Sequence, residues 1–145
     1  MSNDLLDITL RLCTALLSGA IIGLERELRH KPAGLRTHML VSLGSALFTV
    51  IPLYTVELKP SADALSRVIQ GIAAGIGFLG AGEILRESSQ ESQRPEVHGL
   101  TSAAAVWVSA ALGIASGCGL WKLGLIGALL TFLVLNVFKR FEKRN

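Results

Sequence analysis

Five apolar runs dominate this chain, and each is close to the length a helix needs to cross a lipid bilayer. They are Leu5–Leu24, Met39–Val56, Val68–Leu85, Leu100–Ser116 and Trp121–Phe138, of 20, 18, 18, 17 and 18 residues, and they take up 91 of the 145 residues. A spanning helix needs about 20 mostly apolar residues, with a range of about 17–25. The formal charges inside the runs are Asp7, Arg11, Glu83 and Lys122, and only Arg11 sits appreciably inside. Hydrocarbon offers the backbone no water partner, so each run is expected to be helical. A soluble bundle would need charged outer helix faces, and these runs have none. Charged residues make up 17% of the chain, against about 25% in soluble domains, and the mean hydropathy is +0.51. The expectation is an all-α integral membrane bundle forming one domain over residues 1–145, with five transmembrane helices at 5–24, 39–56, 68–85, 100–116 and 121–138.

The basic residues give this bundle a direction. Arg26, Arg29, Lys31 and Arg36 lie between runs one and two, Arg86 and Arg94 between three and four, and Lys139, Arg140, Lys143 and Arg144 in the tail. Those alternate segments hold ten basic residues against three on the other side, Lys59, Arg67 and Lys122. The rule that cytosolic loops are enriched in Lys and Arg then predicts an N-out, C-in chain. Met1–Asp7 has no basic stretch, so run one is expected to be a signal anchor and not a cleaved signal peptide. The pI of about 9.2 is accounted for by topology and lipid-headgroup contacts, not by nucleic acid. Cys13 and Cys118 are too few for a disulfide scaffold, and they either pair with each other or stay as two apolar thiols. His30, His38 and His98 have no zinc spacing. No nucleophile elbow, phosphate loop or paired carboxylate appears, so neither metal, cofactor nor enzymatic activity is expected.

Small and polar residues inside the runs say how the helices meet. Gly19/Gly23, Gly71/Gly75 and Gly113/Gly117 are GxxxG pairs, which let helix backbones approach closely in lipid. Run three carries Gly71, Gly75, Gly77, Gly80 and Gly82. Five glycines cost helix propensity, and they point either to tight packing or to a flexible helix lining a transport site. With Gly113 and Gly117 they are the expected packing residues, and they favour a homodimer. Asp7, Arg11, Thr14, Ser18 and Glu25 form one stripe along run one, and His38, Ser42, Ser45, Thr49 and Pro52 form another along run two. Ser102, Ala105, Ser109, Gly113 and Ser116 share a face of run four. Arg11 needs a partner, and Asp7, one turn away, is the nearest. The stripes are either a hydrated seam that an ion could use or polar glue between helices. Glu25 and Arg36 carry opposite charges beside the first short loop, as a gate or as a fixing pair. Glu83 is expected to snorkel.

These residues also resemble a known family. Gly23-Leu-Glu25-Arg26 followed by Ala33-Gly34-Leu35-Arg36-Thr37-His38 looks like the first signature of the MgtC/SapB membrane proteins. Arg67 with Gly71–Gly82 looks like the second, and Gly99-Leu100-Thr101-Ser102-Ala103 with Trp107 and Gly113 looks like the third. The resemblance runs from about Leu5 to Trp121. Glu83 departs from it, standing where an apolar residue is expected. The resemblance implies a bacterial inner-membrane protein tied to magnesium limitation, membrane energetics and survival inside phagocytes. It also implies that some members bind other membrane proteins, and that many continue into a soluble cytosolic domain, of which this sequence shows none. The candidate functional residues are Asp7, Arg11, Glu25, Arg26, Arg36, Thr37, His38, Arg67 and Thr101. The leading expectation is a non-enzymatic regulator of magnesium or ion homeostasis, and the alternative is a cation channel or carrier along the seam between helices one and two.

Overall fold

The computed structural model describes residues 2–55, 62–90 and 99–138. Lys59, Arg94, His98 and the basic tail from Lys139 lie outside the described residues. Five helices follow in order: α1 (Ser2–Leu28), α2 (Leu35–Thr55), α3 (Ala62–Gln90), α4 (Leu100–Gly117) and α5 (Trp121–Leu133), the last continued by a π-helical turn at Val134–Phe138. No strand occurs among the described residues. The first three helices overrun the apolar runs at one or both ends because polar flanks continue the hydrogen-bonded spiral into the loops. Four helices are long and apolar enough to span a bilayer, while the fifth apolar stretch, Trp121–Val137, is shorter.

The turns are closed by backbone chemistry. At the end of α1, His30 takes the left-handed conformation (φ 53°), with Lys31 N–H bonded to the Arg26 carbonyl and His30 N–H to that of Glu27. Gly119 (φ 80°) plays the same part after α4, with Leu120 N–H on the Ala115 carbonyl and Gly119 N–H on that of Ser116. Both are Schellman endings, which satisfy the last carbonyls of a helix. The first amide of α2, at Leu35, donates to the Glu27 carboxylate at 3.0 Å, an acceptor suited to a helix N-terminus.

Alternating chain direction gives the bundle its pairings. α1 runs antiparallel to α2, with Gly19 against His38 and Gly23 against Leu35. α4 runs parallel to α2, with Gly113 against Ser42 and Gly117 against Ala46. α5 lies beside α1 and α4, where Gly124 meets Ser18 and Ser116. α3 packs on the outside of α4 and touches α2 lightly. Approach is close: a Cβ on Gly19 would stand 2.6 Å from the His38 carbonyl oxygen, and one on Gly117 2.8 Å from that of Ala46. At Gly113 it would run into the Ser42 carbonyl.

This proximity makes the core small and polar. Its buried side chains include Ser18, Ser42, Ser45, Thr49, Ser102, Ser109 and Ser116, while Leu5, Leu17, Leu24, Leu40, Phe48 and Leu129 stay exposed on the outside. An apolar cluster of Ile22, Ala105, Leu112, Ala128 and Leu135 completes the α1–α4–α5 contact. Lipid tails are as apolar as leucine, so leucines gain little by turning inward, and small residues that permit backbone contact occupy the interior.

The packing glycines divide. Gly113 and Gly117 sit at backbone contacts, and Gly80 is 3.4 Å (as a Cβ) from the Ala103 Cβ. Gly71, Gly75, Gly77 and Gly82 have nothing within 4 Å, so within one chain they are not at close helix contacts. That corrects the expectation for run three. The glycine count records a need for close approach without naming the helix that approaches.

Candidate functional site

Two polar clusters sit at opposite ends of the bundle. At the first, Arg11 Nε donates to Asp7 Oδ2 at 2.6 Å, and Arg11 Nη1 donates to the Gly117 carbonyl at 2.7 Å. The Tyr54 hydroxyl donates to the same Asp7 oxygen at 2.6 Å. One arginine therefore joins α1 to the C-terminus of α4, where a cation meets the negative end of the helix dipole, and through Asp7 reaches α2. Gly119 completes the nest, since a Cβ there would lie 3.0 Å from the guanidinium. Burial pushes the neighbouring Cys118 thiol up, and Arg11 opposes it. Cys13 and Cys118 are both free thiols.

The second cluster is built on the end of α1. Glu25, 4% exposed, pairs with Arg29 and lies 3.7 Å from the Arg26 guanidinium. Arg26 Nη2 donates to Ser102 Oγ of α4 at 2.8 Å, and Arg29 Nη2 donates to Asn136 Oδ1 at 2.7 Å. His38 is fully buried beside them. Its Nδ1 lies 2.8 Å from the Gly34 carbonyl, which makes Nδ1 the protonated ring nitrogen. Its Nε2 has no partner among the described residues. Asn136 is presented by the π-helical turn and donates to the Phe132 carbonyl.

Between the clusters runs a column of hydroxyls. Ser42 donates across to the Ala15 carbonyl of α1. Ser45, Thr49 and Ser109 each donate to the carbonyl four residues back. Ser18 and Ser116, both fully buried, have no hydrogen-bond partner among the described residues, and both face Gly124.

The other candidates are placed as follows. Arg36, Thr37 and Thr101 are exposed at the Glu25 end. The Glu25 carboxylate is taken up by Arg29 and Arg26, so the pairing of Glu25 with Arg36 is not formed. Arg67 is exposed and pairs with Asp63 at 3.0 Å. Glu83 is half-buried, and its Oε1 is buried without a hydrogen-bond partner among the described residues. Sequence reasoning missed Asn136 and Tyr54, and it read Arg29 only for topology and Ser102 only as one member of a small-residue face. Only Arg29, four residues after Glu25, left a local signal. Among the described residues no three His, Cys, Asp or Glu side chains gather as a metal site requires.

Helices with lipid-facing leucines around a polar, glycine-packed interior define a small multi-pass membrane protein. Compared with known proteins, the chain matches the MgtC family over residues 12–144, and it belongs to that family. It is 51% identical to the protein SrpB of Synechococcus elongatus over 145 residues, covering 97% of this chain and 80% of that one. It is 40% identical to the putative magnesium transporter YhiD of Escherichia coli over 139 residues, 93% of this chain and 62% of that one. With the protein MgtC of Salmonella typhimurium the identity is 41% over 131 residues, 90% of this chain and 52% of that one. The chain thus spans about half to four-fifths of the length of these relatives. No solved structure matches it.

Proposed function

We propose that this chain is a non-enzymatic regulator of magnesium or ion homeostasis in the bacterial inner membrane, acting through contact with other membrane proteins. The printed name of YhiD, a putative magnesium transporter, supports the magnesium connection. The observation that carries the regulatory reading is the closed seam between α1, α2 and α4. Gly19 and Gly113 bring backbone against backbone at His38 and Ser42, and Ser42, Ser45 and Thr49 spend their hydroxyl protons on carbonyls. Magnesium demands near-octahedral oxygen ligands and gives up water reluctantly, and such a seam leaves no width for the hydrated ion.

One observation favours the alternative, a cation channel or carrier. Ser18 Oγ, Ser116 Oγ and His38 Nε2 are buried and unengaged among the described residues, and such groups line ion paths in membrane proteins. Flux through the purified chain in liposomes separates the readings, with magnesium, sodium, potassium and protons assayed in turn. The same chain is scored for rescue of bacterial growth in low magnesium. Rescue without flux above protein-free liposomes is the expected result. Flux of any of the four ions would overturn the regulator and establish the conduit.

A further inference from the structure

α3 meets α4 at Gly80 and Ala103 and touches α2 lightly. The space left between α2 and α3 is a groove of about 580 Å³, lined from Leu40 to Phe48 on α2 and from Val68 to Leu79 on α3. Glycines stand on both walls, Gly44 on one and Gly71 and Gly75 on the other, and a Cβ on any of them would meet nothing within 4 Å. These glycines widen the groove and bring no backbones together. The polar side chain among its lining residues, Ser45, donates its hydroxyl proton to the Val41 carbonyl, so the groove suits hydrocarbon and not water.

Both walls continue into polar groups at one end. Arg36 and Thr37, each exposed, stand one turn before Leu40 and Val41 on α2, and Glu83 stands one turn after Leu79 on α3. α2 and α3 run in opposite directions, so all three residues lie at the end of the groove predicted to be cytosolic. Glu83 is half-buried there, with its Oε1 lacking a hydrogen-bond partner among the described residues. A carboxylate at the edge of hydrocarbon calls for a cation, while an arginine beside a hydroxyl suits a phosphate.

We propose that the groove holds one phospholipid of the cytosolic leaflet, of the class whose headgroup carries both a phosphate and a primary ammonium, as in phosphatidylethanolamine. One acyl chain lies along the groove past Gly44 and Gly75, the phosphate sits at Arg36 and Thr37, and the ammonium sits at Glu83. The depth agrees with this. From Arg36 to Phe48 α2 climbs 12 residues, about 18 Å at 1.5 Å each, and half of a hydrocarbon core is about 15 Å. A chain anchored at Arg36 therefore ends close to where the groove ends on α2. A partner helix, about 10 Å across, would run the whole core of about 30 Å, twice the depth the groove offers. The charges agree as well. A headgroup with a phosphate alone would satisfy Arg36 but set a second negative charge beside Glu83, whereas the zwitterion answers both. At the opposite end Arg67 is already held by Asp63. This site is independent of whether the protein regulates or conducts.

Native mass spectrometry of the full chain tests it, after release from nanodiscs made of equal parts phosphatidylethanolamine and phosphatidylglycerol. The wild-type chain is expected to keep one lipid, with phosphatidylethanolamine favoured at least tenfold. Gly44→Leu and Gly75→Leu each send a side chain into the groove from a position with nothing within 4 Å. Thermal stability therefore holds while retained lipid falls at least tenfold. Gly77 is equally unobstructed but does not line the groove, and Gly77→Leu leaves retention unchanged. Glu83→Gln removes the charge that selects the ammonium, and it brings the two lipids to within threefold of each other. The proposal is overturned if the wild-type chain keeps no lipid or keeps phosphatidylglycerol as well as phosphatidylethanolamine. Retention at the wild-type level in both groove-filling variants, or a lipid preference unmoved by Glu83→Gln, would also overturn it.

Discussion

Arg11 is held by acceptors on two different helices, and that decides how its loss will be felt. Asp7 supplies a carboxylate one turn away, and Gly117 supplies a backbone carbonyl from α4. Arg11→Gln removes both contacts, at about 1.5–3 kcal/mol for hydrogen bonds to a charged group. Asp7→Asn keeps an acceptor oxygen and leaves the Gly117 bond in place, so it costs about 1 kcal/mol. The two residues share one network, so the double variant is expected to lie within about 0.5 kcal/mol of Arg11→Gln alone. Unfolding midpoints in mild detergent measure all three, and strictly additive losses would break the clamp into unrelated contacts. At the other end, Arg36 is exposed and takes no part in the Glu25 pairing. Arg36→Gln is therefore expected to shift stability by less than about 0.5 kcal/mol while abolishing rescue of growth in low magnesium. Rescue at wild-type level would remove Arg36 from the functional residues. The Asp7–Arg11 pair was legible because four residues is one helical turn. Its second acceptor was not, since a backbone carbonyl more than a hundred residues away leaves no mark in the side-chain pattern.

At the scale of the helix, glycines with the same spacing have opposite surroundings. Gly113 in α4 faces the Ser42 carbonyl with no room for a Cβ, while Gly77 in α3 faces open space. Gly113→Ala must push two backbones apart, at about 3 kcal/mol, the upper end of overpacking costs because no flexible side chain can yield. Gly77→Ala meets nothing and gains helix propensity, up to about 1 kcal/mol. Thermal stability of the two variants in mild detergent is the check, and equal losses would mean that α3 is as tightly packed within one chain as α4. The runs themselves were readable because membrane helices need only length and apolarity. The stripes of α2 and α4 were readable too, and Ser42, Ser45, Thr49, Ser102, Ser109 and Ser116 are all buried. What spacing could not supply is the choice of neighbour. A GxxxG pair reads the same whether it meets α2, as at Gly113 and Gly117, or open space, as at Gly71 and Gly75.

Across the whole molecule, the open issue is whether the short fifth helix crosses the bilayer, and the contacts along α1 answer it. Arg11 of α1 is bonded to Gly117, just before α5 begins. Ser18 lies beside Gly124, and Arg29 is bonded to Asn136 at the far end. From Arg11 to Arg29 the chain climbs 18 residues, about 27 Å at 1.5 Å each. From Cys118 to Asn136 the chain covers the same count beside it, through the turn at 118–120, α5 and the start of the π-helical turn. α1 joins the two polar clusters, so α5 traverses the thickness between them although its apolar stretch is shorter than the other four. The π-helical turn at Val134–Phe138 carries Asn136 to Arg29 at the end of that climb. With five crossings the two ends of the bundle lie on opposite sides, and the ten basic residues against three predict that the C-terminal side faces the cytosol. A reporter active only in the cytosol, fused after Asn145, is expected to be on, and the same reporter inserted at Lys59–Ser61 is expected to be off. A four-span chain, with α5 lying along the surface, would leave both reporters silent. A chain inserted the other way would turn the loop reporter on and the terminal one off, and would carry the Glu25 cluster with its exposed Arg36 and Thr37 to the outside.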